Sequence, residues 1–364
     1  MVRPLYKELA HASLQRGSGH AGLWYDKFCD RWEDDWKLPG DKKLEWIETV
    51  TTQSVESKPL PDEAVTRLLR LVNTRSGRFG VFISTSRFVT GLGRSHPVEN
   101  GFAWHPTLGV PYLPGSSVKG IVRHWAETVN NPELAERMGK LFGAPGTAGD
   151  IVFLDALPVA PVKLATDVIT PHFSAWSAEE PPGDWNGPVP IPFLVMNAKS
   201  SFAFSVLPVR PNNRSAVDDV WSWLREALEL AGAGAKTAVG YGRFRFDERA
   251  TEGLQRQLIK KEQARQADAD RREALRTPEG RWASALGGKK EREILELVRL
   301  HLEKEPLSDP VERRAFAGAV NATELPKLWS KGQKQEGETQ VGEKKLKERA
   351  KLVRQAAADD DKRR

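Results

Sequence analysis

The hydrophobic period of this chain changes near residue 77, and the run of elements beyond that point narrows the fold more than any other feature. "GRFGVFISTSRFVTG" (77–91) is β-branched and aromatic with partial alternation, the pattern of a strand. "LPGSSVKGIVRHWAETV" (113–129) puts Val118, Ile121, Val122 and Trp125 on one helical face, with Ser116 or Ser117 as candidate N-cap. "GDIVFLDALPV" (149–159) reads as a buried strand. "SSFAFSVLPV" (200–209) reads as another, with Phe202, Phe204 and Val206 on one face. "AVDDVWSWLREALELAG" (216–232) predicts a helix and "GYGRFRFDE" (240–248) a short last strand. The order is β-α-β-β-α-β, which predicts a four-stranded antiparallel sheet with two helices on one face.

That order is the split βαβ, or ferredoxin-like (RRM-like), motif of the α+β class. Three regions follow from it: a helical N-terminal region (1–72), the core (73–248) and a charged helical, partly disordered extension (249–364). In the first, "GLWYDKFCDRWEDDW" spaces Leu23, Phe28, Trp32 and Trp36 as one helical face, and "DKKLEWIETV" and "PDEAVTRLLRLV" predict two more helices. Two long insertions interrupt the core, at 92–112 and 160–199. The second is rich in Pro and Trp, too long for a hairpin loop, and a candidate functional protrusion. In the extension "EREILELVRLHLEK" is amphipathic, whereas "KGQKQEGETQVGEKK" is polar enough to be mobile.

Composition excludes several classes. The single cysteine, Cys29, leaves no intramolecular disulfide framework and no cysteine-cluster zinc site, and it fits a reducing compartment. The N-terminus lacks the apolar stretch of a secretory signal, and no run approaches the ~18 apolar residues of a membrane span. The expectation is a cytoplasmic protein. Asp150 and Asp155 are five apart on a strand and point to opposite faces, so neither a metal site nor a cofactor is expected.

The formal net charge is +6, and where it sits matters more than its sum. Residues 249–364 hold 28 Lys and Arg against 21 Asp and Glu; residues 1–248 hold 27 against 28. Within the neutral part, residues 26–63 carry 11 acids and 6 bases, whereas residues 64–126 carry 8 bases and one acid, Glu99. Such a division suggests two partners, one self-complementary assembly, or simply solvated helix faces.

"GAGAKTAVGYGRF" (232–244) looks at first like a nucleotide loop. It fails as one: the first glycine of G-x-x-x-x-G-K-[ST] is missing, Ala235 precedes Lys236, and the segment runs from helix to strand rather than strand to helix. What remains is G-x-G-x5-G-x-G: Gly232, Gly234, Gly240 and Gly242. Its exposed N–H groups can form an anion-binding nest with Lys236 as a point charge. Equally, Gly232 can be a helix C-cap before an edge strand.

The glycine pattern, in its place between last helix and last strand, resembles the loop of the RAMP superfamily, the RNA-binding ferredoxin-like proteins of CRISPR systems. "GLWYDKFCDRW", "GVPYLPGSSVKGIVR", "GDIVFLDALPV", "DVITPHF" and "GAGAKTAVGYGRF" occur in that order. Together they resemble the sixth-subunit family of the type III-B (Cmr) effector complex over roughly residues 20–246. The resemblance implies a non-catalytic backbone subunit in antiviral defence, stacked on neighbouring RAMP subunits toward the 3′ side of a guide RNA, with guide and target RNA running along the assembly. A protein that holds guides of varying sequence should grip sugar and phosphate rather than base edges. The candidate backbone contacts are Lys119, Arg123, Lys236 and Thr237 with the four glycines, and Arg87 and Arg94 further out. His172, Phe173, Trp176 and Trp185 of the long insertion are candidates for base stacking or for a protein groove.

Two other readings stay open. Some RAMP relatives are metal-independent endoribonucleases using a histidine. His96, His105, His124 and His172 are available, the last with Asp167 five residues before it. A stand-alone, sequence-independent RNA-binding protein is the third class.

Overall fold

The computed structural model of the chain describes residues 19–33, 35–52, 55, 59–129, 132–170, 189–210, 213–333 and 341–358. Two compact units divide it, Met1–Leu258 and Ile259–Arg364.

In the first unit, helices α1 (Ala21–Lys27), α2 (Gly40–Thr51) and α3 (Pro59–Thr74) precede strand β1 (Arg78–Ser84). Helices α4 (Gly115–Thr128) and α5 (Pro132–Phe142) come next, then β2 (Ile151–Phe153), β3 (Leu157–Pro158), β4 (Leu164–Ile169), β5 (Ile191–Met196), β6 (Ser201–Pro208), α6 (Arg214–Glu226) and β7 (Phe244–Asp247). The main sheet runs β2-β6-β1-β7, with β3 also on β6, and every pairing is antiparallel. Thus β1 and β2 point the same way across β6, and β6 and β7 point the same way across β1.

Phenylalanines fix this register. Phe82 stands opposite Phe202 on one side and Phe246 on the other. Phe82, Phe204 and Phe244 are buried and meet edge-on, with centroids 5.3 Å apart for Phe82–Phe204 and 5.6 Å for Phe204–Phe244. Full burial of each ring contributes roughly 1.5–3 kcal/mol, and edge-to-face contact adds specificity. On that face α4 contributes Val118, Val122 and Ala126, and α6 contributes Val217, Val220 and Leu224. Gly80 lies there too; a Cβ would come within 2.5 Å of Phe246 and 3.0 Å of Trp221. The other face, with Phe79, packs on Val65 and Leu69 of α3 and on Leu254 and Leu258.

Four local expectations need correction. The aromatic face of Leu23, Phe28, Trp32 and Trp36 does not form. α1 ends at Lys27 and buries Ala21, Gly22 and Tyr25 instead, leaving Leu23 49% and Trp36 57% exposed. Tertiary contacts override the spacing: Tyr25 stacks on His96 at 4.3 Å, its carbonyl accepts from Trp46 Nε1 at 3.1 Å, and Gly22 lies against Trp104. The stretch 149–159 is two short strands rather than one. Between them Asp155 turns inward and accepts the N–H of Gly115 at 2.7 Å, so the cap of α4 comes from across the fold and not from Ser116 or Ser117. α5 is an addition to the expected order. The insertion 160–199 is anchored by a hairpin of β4 and β5, with Phe193, Leu194, Val195 and Met196 fully buried.

In the extension, α7 (Glu248–Ala274), α8 (Pro278–Leu286), α9 (Glu291–Val298), α10 (Pro310–Ala322), α11 (Leu325–Ser330) and α12 (Glu343–Ala358) succeed one another, α9 continuing in wider turns to Lys304. Phe316, Val320, Trp329, Val298 and Val353 form a hydrophobic core for the second unit. Trp329 Nε1 donates to the buried Glu291 at 2.7 Å, and Arg349 grips Glu303 at 2.7 Å. Asp309 caps α10, with proline in its first turn. Residues 334–340 of the polar stretch lie outside the described residues.

The remote cap makes a measurable prediction. Asp155→Ala should lower unfolding free energy by about 0.5–2 kcal/mol, the usual worth of an N-cap acceptor, while Asp155→Asn should keep most of it. Urea denaturation followed by tryptophan fluorescence checks this; equal loss in both variants would deny the cap.

Candidate nucleic-acid interface

The glycine segment is built by close approach. Gly232, Gly234, Gly240 and Gly242 have φ of +82°, +83°, +93° and +70°, a region open to glycine and strained for other residues. Gly232 ends the helical run that continues α6, donating its N–H to Ala227 O at 2.7 Å. The two G-x-G arms then lie back to back: Ala233 N–H donates to Gly242 O at 2.8 Å, and a Cβ on Gly242 would collide with Ala233 O. A Cβ on Gly234 would collide with Val89 O. Gly232 is thus the helix C-cap, and Gly234 and Gly242 are positions of close backbone approach.

Between the arms, Lys236 itself adopts φ +61°, a strain on the order of 1–3 kcal/mol. Thr237–Val239 then make one tight turn. Among the described residues no acceptor meets the N–H groups of Lys236, Thr237 and Ala238. They stand beside the Thr237 hydroxyl and the Lys236 ammonium as donors without partners.

The segment forms one wall of a groove. Gly232, Gly234 and Thr237 face Thr90, Gly91 and Gly93 of the loop after β1, and Ser117, Gly120 and His124 of α4 complete it. Nothing lies within 4 Å of a Cβ built on Gly120 or Gly93, so both leave the groove open. Helical geometry separates these α4 residues from Lys119 and Arg123, which lie on a different face. Arg123 pairs with Glu127 at 2.9 Å. Lys119 and Arg123 are not in the groove's lining, to which α4 contributes Ser117, Gly120 and His124.

Arg87 is committed elsewhere. Its guanidinium pairs with Asp167 of β4 at 2.5 Å, and the Tyr241 hydroxyl donates to the same carboxylate oxygen. Burial works to raise the Asp167 carboxyl, but the bonds from Tyr241 and Arg87 outweigh it and hold the group below its ordinary value. Burial and then the Asp167 carboxylate push the Tyr241 phenol up. Lys236 Nζ lies 5.6 Å from the Phe193 ring centre and 5.9 Å from that of Tyr241, a cation over two aromatic rings. Arg94 is exposed on the loop 91–101, within electrostatic reach of Asp26. His172, Phe173, Trp176 and Trp185 lie outside the described residues.

Four residues of the basic block 64–126 are engaged within the chain in this way. Arg78 meets Asp218 at 2.8 Å, Arg75 donates to Val209 O at 2.7 Å, Arg87 holds Asp167 and Arg123 holds Glu127. The histidines divide similarly. His96 is buried, its Nε2 lies 3.2 Å from Tyr25 O, and burial depresses its pKa to about 4. His105 accepts the N–H groups of Thr107 and Leu108 at its own turn. His124 is exposed on the groove.

Comparison with known proteins identifies the segment that carries the groove. Residues 81–245 match the RAMP superfamily. The Cmr6 subunit of the CRISPR system of Pyrococcus furiosus is 28% identical, over 48% of this chain and 69% of that protein. The Cmr6 subunit of Saccharolobus solfataricus is 27% identical, over 59% of this chain and 68% of that protein. A chain of the type III-B Cmr-beta complex solved with cognate target RNA overlays with a TM-score of 0.48 at 22% identity, covering 57% of this chain and 71% of that one. No helix among the described residues is long and apolar enough to cross a membrane.

The Asp167 network predicts a pH signature. Because the folded pKa lies below the ordinary 3.8, its stabilisation is present above that value and is lost as pH falls through the folded one. The stability difference between the parent chain and Asp167→Asn should therefore be constant from neutral pH to about pH 5 and shrink below 3.8. Denaturant midpoints across that range measure it; a difference that grows toward acid would contradict the assignment.

Proposed function

From a RAMP superfamily domain at residues 81–245 in a chain that resembles Cmr6 subunits, we propose a subunit of a type III-B CRISPR ribonucleoprotein that holds RNA by its backbone in the glycine groove. The observation that carries the proposal is the set of unpartnered N–H groups at Lys236, Thr237 and Ala238, among the described residues, in a loop whose Thr237 lines the groove that Gly120 leaves open. Such donors recognise phosphate and sugar and take no account of base identity. The guide RNA toward its 3′ side is the ligand implied by the resemblance, with target RNA and further RAMP subunits alongside.

The strand order β2-β6-β1-β7 with α4 and α6 on one face supports a ferredoxin-like core for this domain. Lys119, Arg123 and Arg94 belong to the proposal as outer contacts on surfaces separate from the groove. Arg87 belongs to it as a residue that holds the loop. The role is non-catalytic: His96 is buried beside Tyr25 O and the Asp26 carboxylate, with burial holding its pKa at about 4, His105 accepts backbone N–H groups, and His124 makes no ion pair among the described residues. Incubation with labelled RNA in chelator tests this, and cleavage abolished by His124→Ala or His172→Ala would overturn it.

Binding is tested by fluorescence anisotropy with guide RNA over a salt series. Lys236→Ala should weaken binding and make the slope of log K against log salt shallower by about 0.7, the worth of one cation on a single strand. Lys119→Ala should act additively, being on a separate surface. Gly120→Leu should leave the fold intact, since leucine favours the helix by up to about 1 kcal/mol over glycine, yet block the groove and cost tenfold or more. Full affinity in Gly120→Leu would place the RNA elsewhere.

A further inference from the structure

We infer that the second unit carries a separate binding site for a nucleic-acid backbone, a groove between α11 and α12 that takes the sugar-phosphate backbone of RNA without regard to sequence. Its wall is the face of α12 bearing Lys347, Lys351 and Arg354, with Ser330 at the end of α11 opposite. The three cations stand at i, i+4 and i+7, one above another along about 10 Å of helix.

Charge is concentrated here beyond what the unit needs for solubility. Residues 325–333 and 341–358 together hold eight Lys and Arg against two Asp and Glu. The six residues that follow Ala358 carry three acids and three bases and leave that surplus unchanged. No carboxylate lines the groove. Lys347 pairs with Glu343 of its own helix at 2.5 Å, but Lys351 and Arg354 make no ion pair among the described residues. Elsewhere on the unit some cations are paired, among them Arg281 with Glu312 and the buried Arg349 with Glu303.

The same surface argues for a polyanion over other partners. The apolar face of α12, Leu346, Ala350 and Val353, is already buried in the unit's own core. The rest of the groove is Ser330, Gln355, Ala350 and Ala358, small or polar groups with no aromatic ring. A membrane-surface helix would present bulky apolar residues beside its cations, and a protein interface would offer an aromatic or aliphatic anchor. Without a ring to stack a base, the site reads phosphate alone. It lies outside the segment 81–245 that matches the RAMP superfamily, and it stands or falls independently of the glycine groove.

The test uses the full chain and a labelled single-stranded RNA of mixed sequence, with anisotropy read over a salt series. Lys351→Gln with Arg354→Gln should weaken binding up to about tenfold at low salt and make the salt slope shallower by about 1.4, at 0.7 per cation. Lys351→Arg with Arg354→Lys should retain affinity and slope. The same decrement should appear in a Lys236→Ala background. Unchanged affinity and slope in the glutamine variant, while Lys236→Ala weakens binding, would overturn this inference and leave the glycine groove standing. Weakening in the glutamine variant but not in Lys236→Ala would support this site and remove the other. If the glutamine variant binds RNA normally but loses binding to vesicles containing anionic lipid, the groove serves a membrane surface and the inference fails.

Discussion

The first unit turns on the three residues Arg87, Phe88 and Val89, just after β1. Arg87 O accepts the N–H of Gly242, and Val89 O accepts that of Ala235, each at 2.8 Å. Between them Phe88 exchanges backbone bonds with Met196 of β5, at 3.0 and 2.8 Å. One short segment is thus stitched to the glycine arms on one side and to the insertion hairpin on the other. Its carbonyls leave no room for a Cβ at Gly234, and Ala233 O leaves none at Gly242. The glycines are required by backbone meeting backbone, and the open groove is what remains after that meeting.

The Arg87, Asp167 and Tyr241 contacts repeat the same connection in side chains. Asp167 belongs to the hairpin, Arg87 to the segment after β1 and Tyr241 to the second glycine arm. Lys236 rests over Tyr241 and over Phe193 of the hairpin. A lysine on a flexible loop would give up much rotamer freedom on meeting a phosphate. Held over two rings, with its backbone already in the left-handed region, it has given up part of that freedom beforehand. The insertion therefore bears on the groove through its base, β4 and β5, whatever its tip contacts.

The strand and helix order of the core was legible because each element there buries one continuous face. Phe202, Phe204 and Val206 alternate, and Val118, Val122 and Ala126 repeat at helical spacing. The glycine loop was legible by its place between α6 and β7. Other features were not, because they depend on contacts far apart in the chain. The aromatic spacing of residues 23–36 was a true pattern overridden by Tyr25 packing on His96 and Trp46. β4 hid in a stretch whose polar Thr166 and Asp167 mask its pairing with the apolar β5. The groove face of α4 carried no charge to draw attention, only Ser117, Gly120 and His124. Lys119 and Arg123 drew it instead, although charge alone does not say which face meets the loop.

Net charge by itself says little, for a related reason. A cation matters to a ligand only where its own chain has not already neutralised it. The block 64–126 is rich in arginine, yet Arg78, Arg87 and Arg123 each hold a carboxylate. Such exposed pairs contribute little to stability, roughly 0–1 kcal/mol each, but they reduce the field that a polyanion would meet. Lys236 differs in kind: its neighbours are the faces of two rings, which attract a cation without cancelling its charge. A cation held over aromatic rings stays available to a phosphate. That distinction, rather than the density of basic residues, separates the loop lysine from the arginines that surround it.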